Sequence, residues 1–236
     1  MKPTTDSRDD VRRRSERGVA LVIALMGVLL LSALGLGLVL TTSTELLVVG
    51  NYRTSQEALY GAEAALERAL PDLLTVPDWN TILAGTDRSA FIDGPPDGTR
   101  VLPDGSIIDL TKVTNVANCG KTVSCSAAEL DAVTDERPWG TNNPRWTLYA
   151  YSPLRELLPT DTMNSPFYVI TWVGDDPSEN DGDPTTDGSL QTNPGMGVIA
   201  LRSEAFGPGG THKVIEATVA RSDLGSLRLL SWRELR

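Results

Sequence analysis

Six carboxylates stand within thirteen residues, a density that suits the binding of a cation. They are Asp175, Asp176, Glu179, Asp181, Asp183 and Asp187, interspersed with Asn180, Gly182 and Gly188. Like charges this close repel one another unless water, salt or a cation screens them. Hard oxygen ligands on a glycine-rich loop suit calcium, which takes six to eight oxygens in flexible geometry. The sequence therefore predicts a calcium site in this segment.

The spacing of these carboxylates leaves two other interpretations open. The run from Asp183 to Leu190 is similar to the start of an EF-hand loop, but Pro194 stands where the bidentate glutamate of that motif belongs. The 46 residues from 156 to 201 contain no lysine, arginine or histidine. A solvated acidic loop explains such a composition equally well. A third alternative is an acidic surface that docks a basic partner.

Catalytic chemistry has little support in this sequence. His212 is the only histidine, it lies beside a glycine-rich turn, and it has no evident nucleophile partner. The paired carboxylates lie on a flexible loop and not on rigid elements that could hold acid and base in place. We therefore expect no enzymatic activity. The net charge of −10, which becomes −12 over residues 19–236, also argues against nucleic acid as a partner.

The first forty-five residues decide where the protein resides. An arginine-rich leader, residues 1–18, precedes an apolar stretch from Val19 to Leu40, and no charge occurs between Gly18 and Thr44. A helix crosses the hydrocarbon layer in about 20 residues, so the run is long enough to span. The positive-inside rule keeps the leader cytoplasmic and exports the remainder. A cleaved secretory signal is the alternative, but its apolar part normally covers only about 7–15 residues.

The helical pattern continues beyond the membrane segment. Apolar positions recur at helical spacing up to Leu70, and Pro71 is predicted to end the helix. We therefore predict one helix over residues 19–70, with a transmembrane half (19–40) and an amphipathic half. Within one chain, the simplest partner for the amphipathic half is a sheet of the following domain.

These residues resemble a known family. The run Gly18-Val19-Ala20-Leu21-Val22 behind a basic leader resembles the processing site of a type IV prepilin. The segments Tyr52-Arg53-Thr54 and Ala58 to Leu66, which includes Ala-Glu-Ala-Ala-Leu, resemble more narrowly the PilX class of minor pilins. The resemblance implies cleavage between Gly18 and Val19, methylation of Val19, and assembly into a type IV pilus with roles in adhesion or motility.

The resemblance also implies partners. These are a prepilin peptidase, the major pilin and other minor pilins, and an inner-membrane assembly platform; a pilus-tip adhesin is a further candidate. The protein would reside in the inner membrane with a periplasmic ectodomain, and then in the extracellular filament or its tip. A general secretion pseudopilin and a membrane-anchored periplasmic binding domain are the alternative functions.

One residue departs from the pilin pattern. Most pilins carry a glutamate at the position that Ile23 occupies here, and this carboxylate is thought to pair with the N-terminal ammonium of a neighbouring subunit. A charge buried in apolar surroundings costs several kcal/mol unless it is paired, so the glutamate recruits subunits in register. We therefore predict that this protein sits at the filament tip or primes assembly.

The part of the chain that follows the long helix is predicted to consist of two regions and a tail. Residues 71–145 are predicted to be irregular, apart from two short strands around Pro103-Asp104-Gly105. In an oxidising periplasm, Cys119 and Cys125 are expected to form a disulfide, with free thiols as the alternative. Residues 146–221 are predicted to form an antiparallel sheet of four strands, 146–151, 167–173, 197–206 and 211–221. Residues 222–236 form a tail with a short helix, and the fold class is α+β, pilin-like.

Overall fold

The computed structural model describes residues 7–157, 164–179, 181–188, 195–222 and 225–235, with side chains from residue 18 onward. The chain divides after Tyr52 into two compact units, and each is treated separately. Asn180, Leu190 and Pro194 of the predicted acidic loop lie outside the described residues, as do residues 1–6 of the leader.

Helix α1 runs from Ser7 to Thr75 and is longer than predicted at both ends. Residues 7–17 contain neither proline nor glycine, so nothing in the sequence stops the helix there. Pro71 removes one backbone donor but does not end the helix, because the following residues are held by tertiary contacts. Leu73 is completely buried, and Asp72 accepts hydrogen bonds from the hydroxyl of Ser89 and the backbone N–H of Ala90.

The part of α1 that follows Tyr52 packs on the sheet through small side chains. Ala58, Ala62, Ala65 and Ala69 are all at most 1% exposed and belong to one core cluster. Ser203 donates a hydrogen bond from Oγ to the carbonyl oxygen of Ala62 at 2.8 Å. Alanine at these positions lets the helix backbone lie close to the sheet, which confirms the predicted partner of the amphipathic half.

Five antiparallel strands form the sheet, in the order β3-β4-β5-β6-β7. They are β3 (Thr147–Pro153), β4 (Tyr168–Asp175), β5 (Val198–Phe206), β6 (His212–Arg221) and β7 (Leu227–Leu235). The four predicted strands are confirmed. Gly209 and Gly210 connect β5 to β6 with φ angles of 64° and 75°, a left-handed conformation that favours glycine.

The prediction of a short C-terminal helix is wrong. Leu227, Leu229, Leu230 and Trp232 lie on β7, which pairs with β6 from Arg221↔Leu227 to Val214↔Leu235. The sheet therefore reaches beyond residue 221. The exposed edge of β6 supplies backbone partners that a local sequence pattern does not reveal, and these override the helical propensity of leucine, arginine and glutamate.

Each face of the sheet carries its own hydrophobic core. Ile215, Ala217 and Val219 of β6 contact the α1 cluster, as the alternating pattern predicts. The opposite face buries a second cluster that includes Trp146, Tyr151, Tyr168, Ile170 and Trp172. The sheet is thus covered on both sides, by α1 on one and by the segment that follows α1 on the other.

The segment before the sheet contains more structure than predicted. It holds α2 (Asn80–Leu83), β1 (Thr99–Val101), β2 (Ile107–Asp109), α3 (Leu110–Cys119) and α4 (Ala127–Leu130). The hairpin β1–β2 confirms the two strands around Pro103-Asp104-Gly105. Helix α3 corrects the irregular assignment, with Asp109 capping its start and Gly120 following its end. Its Asn118 side chain bonds both backbone groups of Trp146, at 2.9 and 2.8 Å, and so attaches α3 to the sheet.

Cys119 and Cys125 form a disulfide, in agreement with the prediction. The bridge joins the last residue of α3 to the chain just before α4. It closes a short loop, so we assign it a local contribution of about 2 kcal/mol to the stability of this connection.

Candidate functional site: the assembly helix and the acidic loop

The first candidate site is the apolar surface of α1 from Gly18 to Leu40. Every side chain of this stretch is exposed, and Ile23 is 65% exposed. Within the described part of the chain, the helix from Gly18 onward is the one segment long and apolar enough to cross a membrane. A continuous aliphatic surface of this length is suited to contact with lipid or with other apolar helices.

Polar groups at the end of this surface are satisfied within the helix. The hydroxyls of Thr41, Thr42, Ser43 and Thr44 each donate to the carbonyl oxygen four residues earlier, at 2.9–3.0 Å. Four consecutive hydroxyls therefore need no water as a partner. This arrangement extends the length of helix that tolerates an apolar environment by about one turn, to Thr44.

Small residues on the same helix leave open space at their positions. A Cβ atom built at Gly27, Gly35 or Gly37 would meet nothing within 4 Å outside the local helix backbone. These positions, together with Ala33, permit another helix to approach closely.

The second candidate site is the acidic loop, and the structure divides its six carboxylates into two groups. Asp176 accepts from the backbone N–H and the hydroxyl of Ser178, and Asp183 accepts from the same two groups of Thr185. Asp187 accepts from the N–H of Gly197 at 2.8 Å. These three side chains therefore have local partners.

The other three carboxylates converge. Oxygens of Asp175, Glu179 and Asp181 all lie within 4.8 Å of one another. Asp175 and Glu179 are buried, at 4% and 2% exposure, whereas Asp181 is exposed. Burial, together with the nearby charge of Glu179, raises the pKa of Asp175 to about 9. Desolvation and like-charge repulsion thus both oppose ionisation of this carboxyl group.

A charged network on β5, β6 and β7 was not predicted from the sequence. Arg202 contacts Glu204 at 2.6 Å and Glu216 at 3.0 Å, and Glu216 also binds Arg233. His212 contacts the second oxygen of Glu204 at 2.8 Å. His212 is the first residue of β6 and is exposed at the surface, and its ring is also a partner of this buried glutamate. Strand register places these residues side by side, for example Arg202 opposite Glu216, and no local motif reveals it.

The charge state of Glu204 follows from this network. Burial by itself raises the pKa of Glu204, but the hydrogen bonds and charges of His212 and Arg202 outweigh it, so the pKa lies below its ordinary value. The carboxylate is therefore kept ionised by its partners. This network has the character of a structural ion cluster and contains no nucleophile.

A long helix with an apolar first half, packed by its second half on an antiparallel sheet, defines the type IV pilin-like class of proteins. The family model described as "PilX N-terminal" matches residues 17–67, which is 51 of the 236 residues. This match confirms the resemblance of residues 17–67 to the PilX class of type IV pilus minor pilins. No curated protein and no solved structure matches the chain.

Proposed function

We propose that this protein is a minor pilin of a type IV pilus that primes assembly or occupies the filament tip, and that it acts without catalysis. The observation that carries the proposal is Ile23, an uncharged residue at the position of the pilin glutamate, on an exposed apolar helix within the matched segment. The family match favours the pilus over the alternatives, a general secretion pseudopilin and a membrane-anchored periplasmic binding domain.

Assembly would proceed from the membrane. The arginine-rich leader holds residues 1–18 in the cytoplasm, and prepilin peptidase cuts between Gly18 and Val19. Val19 then becomes the N-terminus and is methylated. The apolar helix exchanges lipid contacts for contacts with the helices of the major pilin and other minor pilins, at the inner-membrane assembly platform. The small residues Ala33 and Gly37 would allow those helices to approach closely.

Because residue 23 is isoleucine, this protein can supply only one of the two charged groups that an ordinary pilin offers to its neighbours. Its own free ammonium can pair with the glutamate of a neighbouring pilin, but it offers no carboxylate to the next subunit. An ammonium buried without a partner is strongly disfavoured, so an ordinary pilin gains nothing from joining at this position. A subunit that accepts contacts on one side only belongs at an end of the filament.

Processing at Gly18 tests the assignment to the pilin pathway. We expect protein recovered from the producing cells to begin at Val19, and protein from cells without the peptidase to retain residues 1–18. N-terminal sequencing and intact mass measure this directly. Gly18→Leu should abolish the cut, while the matched variant Gly35→Leu, at a position with open space, should be processed normally. Retention of the leader in cells that make pili would contradict the proposal.

Ile23→Glu tests the position in the filament. Because the variant restores a carboxylate that a neighbouring ammonium can pair with, we expect it to increase the number of copies per filament and to place copies along the shaft. Quantitative immunogold labelling or mass spectrometry of sheared pili measures both. Ile23→Leu keeps the apolar character and serves as the control. Equal copy number in wild type and Ile23→Glu would overturn the end-of-filament role.

A further inference from the structure

The acidic loop contains a group of converging carboxylates that a role in pilus assembly does not explain. We propose that Asp175, Glu179 and Asp181 bind one calcium ion. The other three carboxylates of the predicted site are left out, because they already accept hydrogen bonds from hydroxyl or N–H groups. Asp176 accepts from Ser178, Asp183 from Thr185 and Asp187 from Gly197.

The distances between the carboxylates fit a shared ion. Calcium binds oxygen at 2.3–2.6 Å, so two of its ligands can be at most about 5 Å apart, whereas magnesium at 2.0–2.1 Å limits this separation to about 4.2 Å. The oxygens of Asp175, Glu179 and Asp181 lie within 4.8 Å of one another. These separations are compatible with one calcium ion shared by the three side chains.

Asp175 supplies the independent observation that points to a ligand. Its side chain is only 4% exposed, and its Oδ1 atom is buried with no hydrogen-bond partner in the described residues. A buried carboxylate oxygen without a partner is costly, since it has lost its hydration without compensation. A cation between Asp175 and Glu179 would give this oxygen a partner and would also screen the repulsion between the two carboxylates.

The elements around the cluster hold it in place. Asp175 is the last residue of β4, opposite Ile199 of β5, and the N–H of Glu179 closes a turn onto the carbonyl of Asp176 at 3.0 Å. Asn142 donates from its side chain to the carbonyl oxygen of Glu179, also at 3.0 Å. The site is therefore attached to the sheet on one side and to the segment before β3 on the other.

Gly195 completes the enclosure on the side of Glu179. A Cβ atom at this position would lie 2.6 Å from the Cβ of Glu179, a distance that side chains do not tolerate. Only glycine lets the chain pass this close, and the result is a glutamate that is 2% exposed. Asp175 and Glu179 are buried and held in place, whereas Asp181 is exposed. An ion can therefore enter the site from the side of Asp181.

Thermal unfolding of the full-length chain in detergent, with calcium and with a chelator, tests the site. At a calcium concentration 100 times its Kd, we expect the Tm of the ectodomain to rise by about 5–10 °C. Calorimetric titration should give one calcium per chain. No calcium-dependent rise in Tm would overturn the proposal, and an equal rise with magnesium at the same concentration would overturn the choice of ion. Neither result depends on whether the protein enters a pilus.

Matched variants distinguish the site from general screening of negative charge. Asp175→Asn and Glu179→Gln should each lose the calcium response, and both should fold in chelator, because each removes a buried repulsion. Asp183→Asn removes a carboxylate from the same loop that already has partners in Thr185, so its calcium response should equal that of the wild type. A calcium response that falls equally in all three variants would overturn the assignment to these residues.

Discussion

Truncating Trp172 to alanine is expected to lower the free energy of unfolding by about 4 kcal/mol, within the range of about 3–5 kcal/mol for a buried aromatic residue. Trp172 lies on β4, is completely buried and belongs to the core cluster under α3. Its indole N–H donates to the hydroxyl of Thr114 on α3 at 2.9 Å. The variant would therefore leave a cavity and would also remove one of the bonds that hold α3 on the sheet.

Two related variants separate these contributions. Trp172→Phe keeps most of the apolar volume but leaves the Thr114 hydroxyl without its donor, so we expect a loss of about 1–2 kcal/mol. Trp232→Ala is the matched control, because this residue is 44% exposed on β7, and its expected cost is about 1 kcal/mol. Urea unfolding of the full chain in detergent, followed by near-UV circular dichroism, measures all three. Similar losses for Trp172→Ala and Trp232→Ala would contradict the packing described for this face.

Arg202→Met is expected to cost about 3 kcal/mol. The side chain of Arg202 is only 12% exposed, and its guanidinium binds Glu204 and Glu216, which are 6% and 15% exposed. Removing one partner of a buried ion pair costs about 3–5 kcal/mol, since the remaining charge is left uncompensated. We expect the lower end because His212 still binds Glu204 and Arg233 still binds Glu216.

The pH dependence of stability distinguishes a charge effect of Arg202 from a packing effect of its side chain. The pKa of Glu204 is depressed in the folded protein, so its contribution to stability is present above the ordinary glutamate value of 4.5 and is lost as the pH falls through the folded pKa. The stability difference between Arg202→Met and wild type should therefore shrink below about pH 4.5. A difference that stays constant from pH 7 down to about pH 2 would show that Arg202 acts through packing of its alkyl chain alone.

The controls for this network use the same chain. Arg155→Met changes an exposed ion pair, with side chains 50% and 55% exposed, and should alter stability by less than about 0.5 kcal/mol. The double variant Arg202→Met/Glu204→Gln should be more stable than the sum of its single variants implies, because glutamine needs no countercharge. Strict additivity of the two changes would contradict a direct interaction.

Local chemistry was sufficient to predict much of the fold. Apolar run length identified a helix that is long enough to cross a membrane, alternation identified β3 to β6, and the turn residues Pro103-Asp104-Gly105 located the hairpin β1–β2. These signals act over a few residues, so they can be read from the sequence. Helix α3 carried such signals too, in its Asp109 cap and in Gly120, but its threonine and valine residues have low helix propensity and the surrounding region is rich in proline and glycine.

The acidic loop shows a feature that could not be predicted from the sequence. Composition predicted six carboxylate ligands, but spacing along the chain does not determine which oxygens meet in space. The end of β4 and the turn over residues 176–179 bring Asp175, Glu179 and Asp181 together, while local hydroxyl and N–H groups occupy the other three. Burial, which makes Asp175 different from an ordinary surface aspartate, exists only after the sheet has formed.

By itself, the sequence determined that the first helix is long and apolar enough to cross a membrane, and it supplied the predicted processing site and the uncharged Ile23, because each depends on residue type along a single helix. Tertiary structure alone decided how that helix ends and how the sheet is completed. Arg221 of β6 lies over the ring of Trp79 and donates to the carbonyl oxygens of Leu73 and Val76, so the helix closes on a residue nearly 150 positions away. Strand β7 likewise forms because β6 offers unpaired backbone groups. Both outcomes depend on hydrogen-bond partners that only folding brings within reach.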